Sequence, residues 1–161
     1  MNQILIWVIS LEIIGLTSFI ITFKFFHLLN DRGFSISKIL GISIFSLLSW
    51  IISVSNIIPR YTLTLYIILF VSILVAIKLG YTQRHEIRNY LLVNWKQLLW
   101  LQFIYFIVFS IFILFRYVDP LINHTEQPMD LAFLTASINT ISGIPLDPWL
   151  KGEVINYYYF G

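Results

Sequence analysis

The chain has 161 residues, of which 58% are hydrophobic and 11% charged, with a mean hydropathy of +0.84 and a net charge of +2. Soluble domains carry roughly 25% charged residues, so this composition excludes a water-soluble monomer, and the small net charge argues against nucleic acid as a partner. Cysteine is absent, which removes disulfides, thiolate catalysis and zinc–thiolate sites. The class that remains is all-α integral membrane protein. Several runs approach the ~20 apolar residues that span a bilayer as helix, and the ~10-residue alternating segments of a β-barrel are missing.

Four spans are predicted, at about Ile4–Phe26, Ile39–Ile58, Tyr61–Leu79 and Gln97–Tyr117. At ~1.5 Å per residue each matches a ~30 Å hydrocarbon core. Met1-Asn2-Gln3 offers no positive n-region, so the first run reads as a retained span and not as a signal peptide. The loop after it carries Lys24, Arg32 and Lys38, and the third loop carries Lys78, Arg84, Arg88 and Lys96. Arg60, Arg116 and Lys151 fall on the other side. Seven basic residues against three place loops 24–38 and 80–96 in the cytoplasm of an integral plasma-membrane protein, with the N-terminus and the C-terminal segment external. In the long third loop, Ile87, Tyr90, Leu91 and Trp95 recur near helical spacing among basic residues, which predicts a short interfacial helix anchored on anionic lipid.

Glu12 lies mid-span in the first helix, where a charge costs about 2.5–3.5 kcal/mol on insertion scales. It is either a proton or substrate site, as in a transporter, or a tolerated, neutral, hydrogen-bonded glutamic acid; Ser10, Thr17 and Ser18 are polar residues close in sequence. Ser46, Ser49 and Ser53 share one face of the second span, which reads as close helix packing. A serine nucleophile would need a base within reach. His85-Glu86 begins the zinc-protease pattern, but Asn89 stands at its closing histidine. His124-Thr125-Glu126 resembles the H-x-E of zinc deaminases, whose cysteines are missing. Asn123-His124-Thr125 is a glycosylation sequon on the predicted outer face.

Residues 118–161 form an external acidic and aromatic segment. Pro120 ends the fourth span, and Arg116 can snorkel at its edge. Pro128 suits a first helical position and Asp130 the positive end of a helix dipole. Leu131, Leu134, Ile138 and Ile141 then form one apolar stripe, predicting an amphipathic surface helix over Met129–Ser142. Pro145-Leu146-Asp147-Pro148-Trp149 reads as a rigid turn with an interfacial tryptophan. Tyr157, Tyr158, Tyr159 and Phe160 read as the aromatic belt that opens a fifth span. The carboxylates Asp119, Glu126, Asp130 and Asp147 are either a solvated loop with helix caps or a cluster at the bilayer edge.

The residues Glu126-Gln127-Pro128-Met129-Asp130-Leu131-Ala132-Phe133-Leu134, Pro145-Leu146-Asp147-Pro148-Trp149, Gly152 and Ile155-Asn156-Tyr157-Tyr158-Tyr159-Phe160-Gly161 resemble the archaeal and Chloroflexi-type "YYY" membrane proteins, large uncharacterised polytopic proteins. Gln127 replaces the family's usual Lys, and Ile144 stands where another Pro is usual. Family members continue through many more spans, so the resemblance implies an N-terminal fragment or one half of a split protein, with the remaining spans as a partner. The family in turn is similar to GT-C glycosyltransferases, which take sugars from polyprenyl-phosphate donors on the external face. That likeness implies a GT-C-like N-terminal portion in which Glu126 or Asp130 is the general base, with Asp119 and Asp147 as further carboxylates. Arg116, His124, Trp149, Tyr157 and Tyr158 would contact substrate, the first two through donor phosphate. No residue is assigned as a metal ligand, although a divalent metal held by the carboxylates is an alternative role for them. The competing expectation is a non-catalytic membrane scaffold or assembly subunit.

Overall fold

The computed structural model describes residues 2–55, 57–58, 61–122, 125–141 and 143–155. Five helices follow one another: α1 (Asn2–Thr22), α2 (Ser37–Val54), α3 (Tyr61–Thr82), α4 (Arg84–Val118) and α5 (Gln127–Asn139). Among the described residues there is no strand, only an isolated antiparallel bridge between Leu146 and Val154. The first four helices are each long and apolar enough to cross a membrane, and the protein is an all-α integral membrane protein. The architecture follows from the solvent: in hydrocarbon a backbone N–H or C=O has no water to bond, so each span satisfies its own groups as helix.

Helix ends differ from the predicted spans for local reasons. α1 stops at Thr22, whose hydroxyl donates to the Ser18 carbonyl at 2.8 Å, and Phe25 and Phe26 turn back onto the Thr22 carbonyl. α2 starts at Ser37 and stops at Val54, where the Ser55 hydroxyl bonds the Ile51 carbonyl at 2.6 Å. The largest difference concerns residues 80–96, read above as a connector with a short interfacial helix of its own. α3 continues to Thr82, only Gln83 intervenes, and residues 84–96 are the first part of the 35-residue α4. No Gly or Pro occurs between Gln83 and Val118, so nothing interrupts the ladder once it has begun. At ~1.5 Å per residue α4 is about 52 Å long, against a hydrocarbon core of ~30 Å. The charged residues Arg84, Glu86, Arg88 and Lys96 put the excess at its N-terminal end.

The chain divides into two compact units. In the first, Met1–Phe45 with Leu69–Leu114, α1 and the start of α2 approach through glycine. A Cβ on Gly41 would lie 2.7 Å from Ile14 Cγ2, 3.1 Å from the Ile14 carbonyl oxygen and 3.1 Å from Ser18 Cβ. The first loop is folded against the basic part of α4. Phe23 is fully buried, edge-on to Phe19 at 5.6 Å and to Tyr90 at 5.4 Å. The Arg32 guanidinium lies 5.0 Å from the Phe23 ring and pairs with Glu86 at 3.5 Å. The Tyr90 hydroxyl donates to the Asn30 carbonyl at 3.0 Å. The two basic segments therefore meet at one end of this unit. Asp31 shapes the turn between them, accepting from the Gly33 N–H at 3.1 Å and the Ser35 N–H at 2.8 Å, with Gly33 at φ 80. Partial burial pushes the Asp31 carboxyl up, but the bonds from Ser35 and Gly33 outweigh it and hold the group below its usual value.

In the second unit, Ser46–Ile68 with Phe115–Gly161, Ser49 and Ser53 are buried, and the Ser53 hydroxyl donates to Thr64 of α3 at 3.5 Å. The serine face thus serves close packing. α5 runs from Gln127 to Asn139, two residues earlier at its start and three at its end than predicted. The Thr140 hydroxyl closes its last turn on the Ala136 carbonyl at 2.8 Å. Leu131, Leu134, Ile138 and Ile141 are exposed, while Phe133 on another side is buried. α5 therefore carries apolar residues on two sides, one inward and one outward, and is not a simple one-stripe helix.

Two measurements check these contacts. Gly41→Ala adds about 1 kcal/mol of helix propensity but forces backbone to move, at about 1–3 kcal/mol. Its melting temperature in detergent should fall. Gly80→Ala meets only Ile20 Cγ2 at 3.6 Å, so it should melt at the parent temperature or above. Because the Asp31 carboxyl titrates below its unfolded value of 3.8, its contribution is complete above that pH and is lost as pH falls through the folded value. Asp31→Asn should be less stable than the parent at neutral pH and converge with it in acid; parallel stability curves would contradict this.

Candidate functional site

A polar cluster lies among the apolar helices of the first unit. Glu12 of α1, Lys38 of α2 and Gln102 of α4 form a closed triangle. Lys38 Nζ is 3.3 Å from Glu12 Oε1 and donates to Gln102 Oε1 at 2.7 Å, while Gln102 Nε2 donates to Glu12 Oε1 at 2.8 Å. Lys38 Nζ also sits 4.2 Å from the centroid of the Tyr105 ring, within cation–π range. Gly15 makes room for the lysine stem, since a Cβ there would lie 2.6 Å from Lys38 Cγ. Glu12 is hydrogen-bonded, as one of the two expectations has it, with the Lys38 ammonium as an ion-pair partner that neither expectation included. The neighbours proposed from sequence are not its partners: Ser10 donates to the Ile6 carbonyl at 2.8 Å, within its own helix. Lys38 had counted only as a loop charge, and Gln102 had not been singled out. The signal available was a polar residue inside the fourth span, opposite a glutamate that needs one.

The second unit holds the carboxylates of the tail. Glu126 is the N-cap residue of α5, exposed, with no side-chain cap bond, and its carbonyl accepts the Asp130 N–H at 2.9 Å. Asp130, also exposed, stands in the first turn. Residues four apart at a helix start are neighbours, so these two acids share one end of α5. Just before them Thr125 is held at φ 47, an uncommon conformation for a β-branched residue. Asp147 is engaged differently. Its Oδ1 accepts from the N–H groups of Trp149 at 2.8 Å and Leu150 at 3.1 Å, an Asx-type turn. That turn opens a small loop closed by Asp147 N–H to the Glu153 carbonyl at 2.9 Å and Ile155 N–H to the Pro145 carbonyl at 2.8 Å. Trp149 packs edge-on against Phe133 at 5.1 Å, which ties this loop to α5.

Arg116 caps the end of α4, donating from Nη1 to the carbonyls of Asp119 and Leu121, both at 3.3 Å. His124, Tyr157 and Tyr158 lie outside the described residues, as does Asn123 of the sequon. Among the described residues no group of three or more His, Asp or Glu side chains is arranged to hold a metal ion. The four acids thus divide into two exposed at the start of α5, one committed to a turn, and Asp119 just after α4.

Lys38→Met strands Glu12 without its counter-charge, and breaking such a pair costs about 3–5 kcal/mol. The double variant Glu12→Gln, Lys38→Met removes both charges and should recover most of that loss. A thermal-unfolding cycle in detergent measures the coupling; strictly additive effects would show that the pair is not coupled.

The pattern of one known family, the uncharacterized membrane proteins of DUF2298, matches residues 44–161. No curated protein and no solved structure matches the chain. The family's pattern runs through most of α2, all of α3 to α5 and the loop that Asp147 organises, so the chain belongs to the DUF2298 family of uncharacterized membrane proteins.

Proposed function

We propose that the chain is part of a GT-C-like glycosyltransferase of the YYY type, with polyprenyl-phosphate-linked sugar as donor and α5 on the external face. The observation that carries this reading is the pairing of two exposed carboxylates, Glu126 and Asp130, at the start of a helix whose Leu131, Leu134 and Ile138 are also exposed. Apolar residues that rest in the bilayer surface hold the adjoining acids at headgroup depth. A lipid-linked sugar presents its reacting carbon at that same depth. One carboxylate takes the proton of an acceptor hydroxyl, whose oxygen bonds the sugar's anomeric carbon. Polyprenyl phosphate leaves with the electrons of the broken C–O bond. Arg116 can meet the donor phosphate, because its two carbonyl bonds use one nitrogen of a guanidinium with five N–H donors. The basic end of the first unit, with loop 24–38 and residues 84–96, then faces the cytoplasm.

The test is transfer of radiolabelled hexose from polyprenyl phosphate by the complete natural reading frame in liposomes. Glu126→Gln and Asp130→Asn are compared with the parent at equal folded amounts. At least one should lose 10²-fold or more of transfer, the scale of a lost general base. Undiminished transfer in both single variants and in the double variant would overturn the assignment. Absence of transfer by the parent would favour a scaffold.

A further inference from the structure

We infer that α4 carries a binding site for one anionic glycerophospholipid, formed by Lys96, Leu99, Trp100 and Phe103. This site does not rest on the catalytic reading. A shallow, open groove of about 350 Å³ on the face of α4 is lined by Trp95, Lys96, Leu99, Trp100 and Phe103. The lining is apolar apart from Lys96, whose ammonium lies 5.7 Å from the Trp95 ring centroid. Helical periodicity sets Leu99, Trp100 and Phe103 one and two turns from Lys96 on the same side of α4.

Depth gives this arrangement its meaning. About 20 residues of α4 fill the hydrocarbon core, and the stretch from Gln97 to Phe115 carries no charge. Lys96 is therefore the last cation before the apolar segment, at the level where lipid phosphates lie, and the groove below it is at the level of the first acyl carbons. Leu99, Trp100 and Phe103 are each more than half exposed, an arrangement for an occupant that is itself apolar. Trp100 lies edge-on to Phe103 at 5.7 Å, so the two rings form one wall.

Charge selects the headgroup. Arg84, Arg88 and Lys96 stand on this end of α4 against a single acid, Glu86, which is already paired with Arg32. A zwitterionic headgroup would bring a cation into that field, whereas a phosphatidylglycerol headgroup brings only negative charge. Lys96 can bond the phosphate as its stem lies along the groove.

The experiment places the full chain in nanodiscs of phosphatidylcholine and phosphatidylglycerol and reads tryptophan quenching by doxyl-labelled forms of each lipid. Trp7→Phe, Trp50→Phe and Trp149→Phe leave Trp95 and Trp100 as reporters. Doxyl-phosphatidylglycerol should quench at about fivefold lower mole fraction than doxyl-phosphatidylcholine, the factor one basic residue near a bilayer contributes. Lys96→Gln should abolish that preference and Lys96→Arg should keep it. Native mass spectrometry of the unmodified chain from an equal lipid mixture gives a second readout, with phosphatidylglycerol retained by the parent and lost in Lys96→Gln. Equal quenching by both lipids would mean ordinary boundary lipid. No quenching by either would mean that protein covers the groove. Either result overturns the site, as does a preference that survives Lys96→Gln.

Discussion

Lys38 reaching Glu12 is the interaction on which the first unit depends. Glu12 sits in the middle of α1, where an uncompensated charge opposes insertion, and the 3.3 Å pair with Lys38 removes that opposition only if α1 and α2 stay close. Closeness in turn requires Gly41 against Ile14 and Gly15 against the lysine stem, since any larger residue would hold the helices apart. Gln102 then completes the set, giving its carbonyl oxygen to lysine and its amide to glutamate. One amide can serve both charges because its carbonyl oxygen accepts while its NH2 donates. Three helices are thus fixed in azimuth, which greasy contacts alone would leave free to rotate. The apolar majority supplies insertion; these few polar atoms supply register.

The second constraint is the mismatch between α4 and the bilayer. A helix of about 52 Å cannot lie wholly within a ~30 Å core, and the surplus emerges with its charges at the N-terminal end. The first loop folds against that surplus. Phe23, Arg32 and Asn30 each find a partner on it, in Tyr90 or Glu86. Both basic segments then lie at one end of the first unit by direct contact, independently of any count of charges. The same surplus sets the height of Lys96, and so joins the loop's packing to the lipid-facing groove.

How much could be read from sequence tracks the range of the interactions involved. Apolar runs in lipid leave helix as the only option, so the four long helices and the stop before Pro120 were legible from local pattern. The helical spacing within residues 80–96 was legible, but its continuity with the fourth span was not, because charges there resemble a connector; continuity depended on the lack of any glycine or proline between Gln83 and Val118. The Lys38–Gln102 bond joins residues 64 apart and the Gln102–Glu12 bond residues 90 apart, separations at which no spacing rule operates. Asp147 shows the opposite case. Its place in the Pro145–Trp149 turn was legible from local pattern, and its carboxylate serves that loop through bonds two and three residues ahead. Asp before Pro and Trp is a turn signal first and a charge second.

That distinction narrows the tail. A carboxylate already accepting two backbone N–H groups holds its loop in shape, and to use it as a base would dissolve the loop that presents Trp149 to Phe133. Glu126 and Asp130 carry no such duty in the contacts of α5: the cap is made without the Glu126 side chain, and Asp130 is held by its backbone. Helix starts usually recruit a side chain to bond their first N–H groups, and here Pro128 reduces that need by removing one donor. The first turn is thereby built with its two acids left toward solvent. Phe133 meanwhile anchors the helix from the inside and Leu131 and Leu134 face outward. A helix gripped on one side, apolar and exposed on another and acidic at one end is suited, on the proposed reading, to bring carboxylates to a substrate whose own anchor is in the membrane. The proposed chemistry asks of the fold only that this orientation be kept.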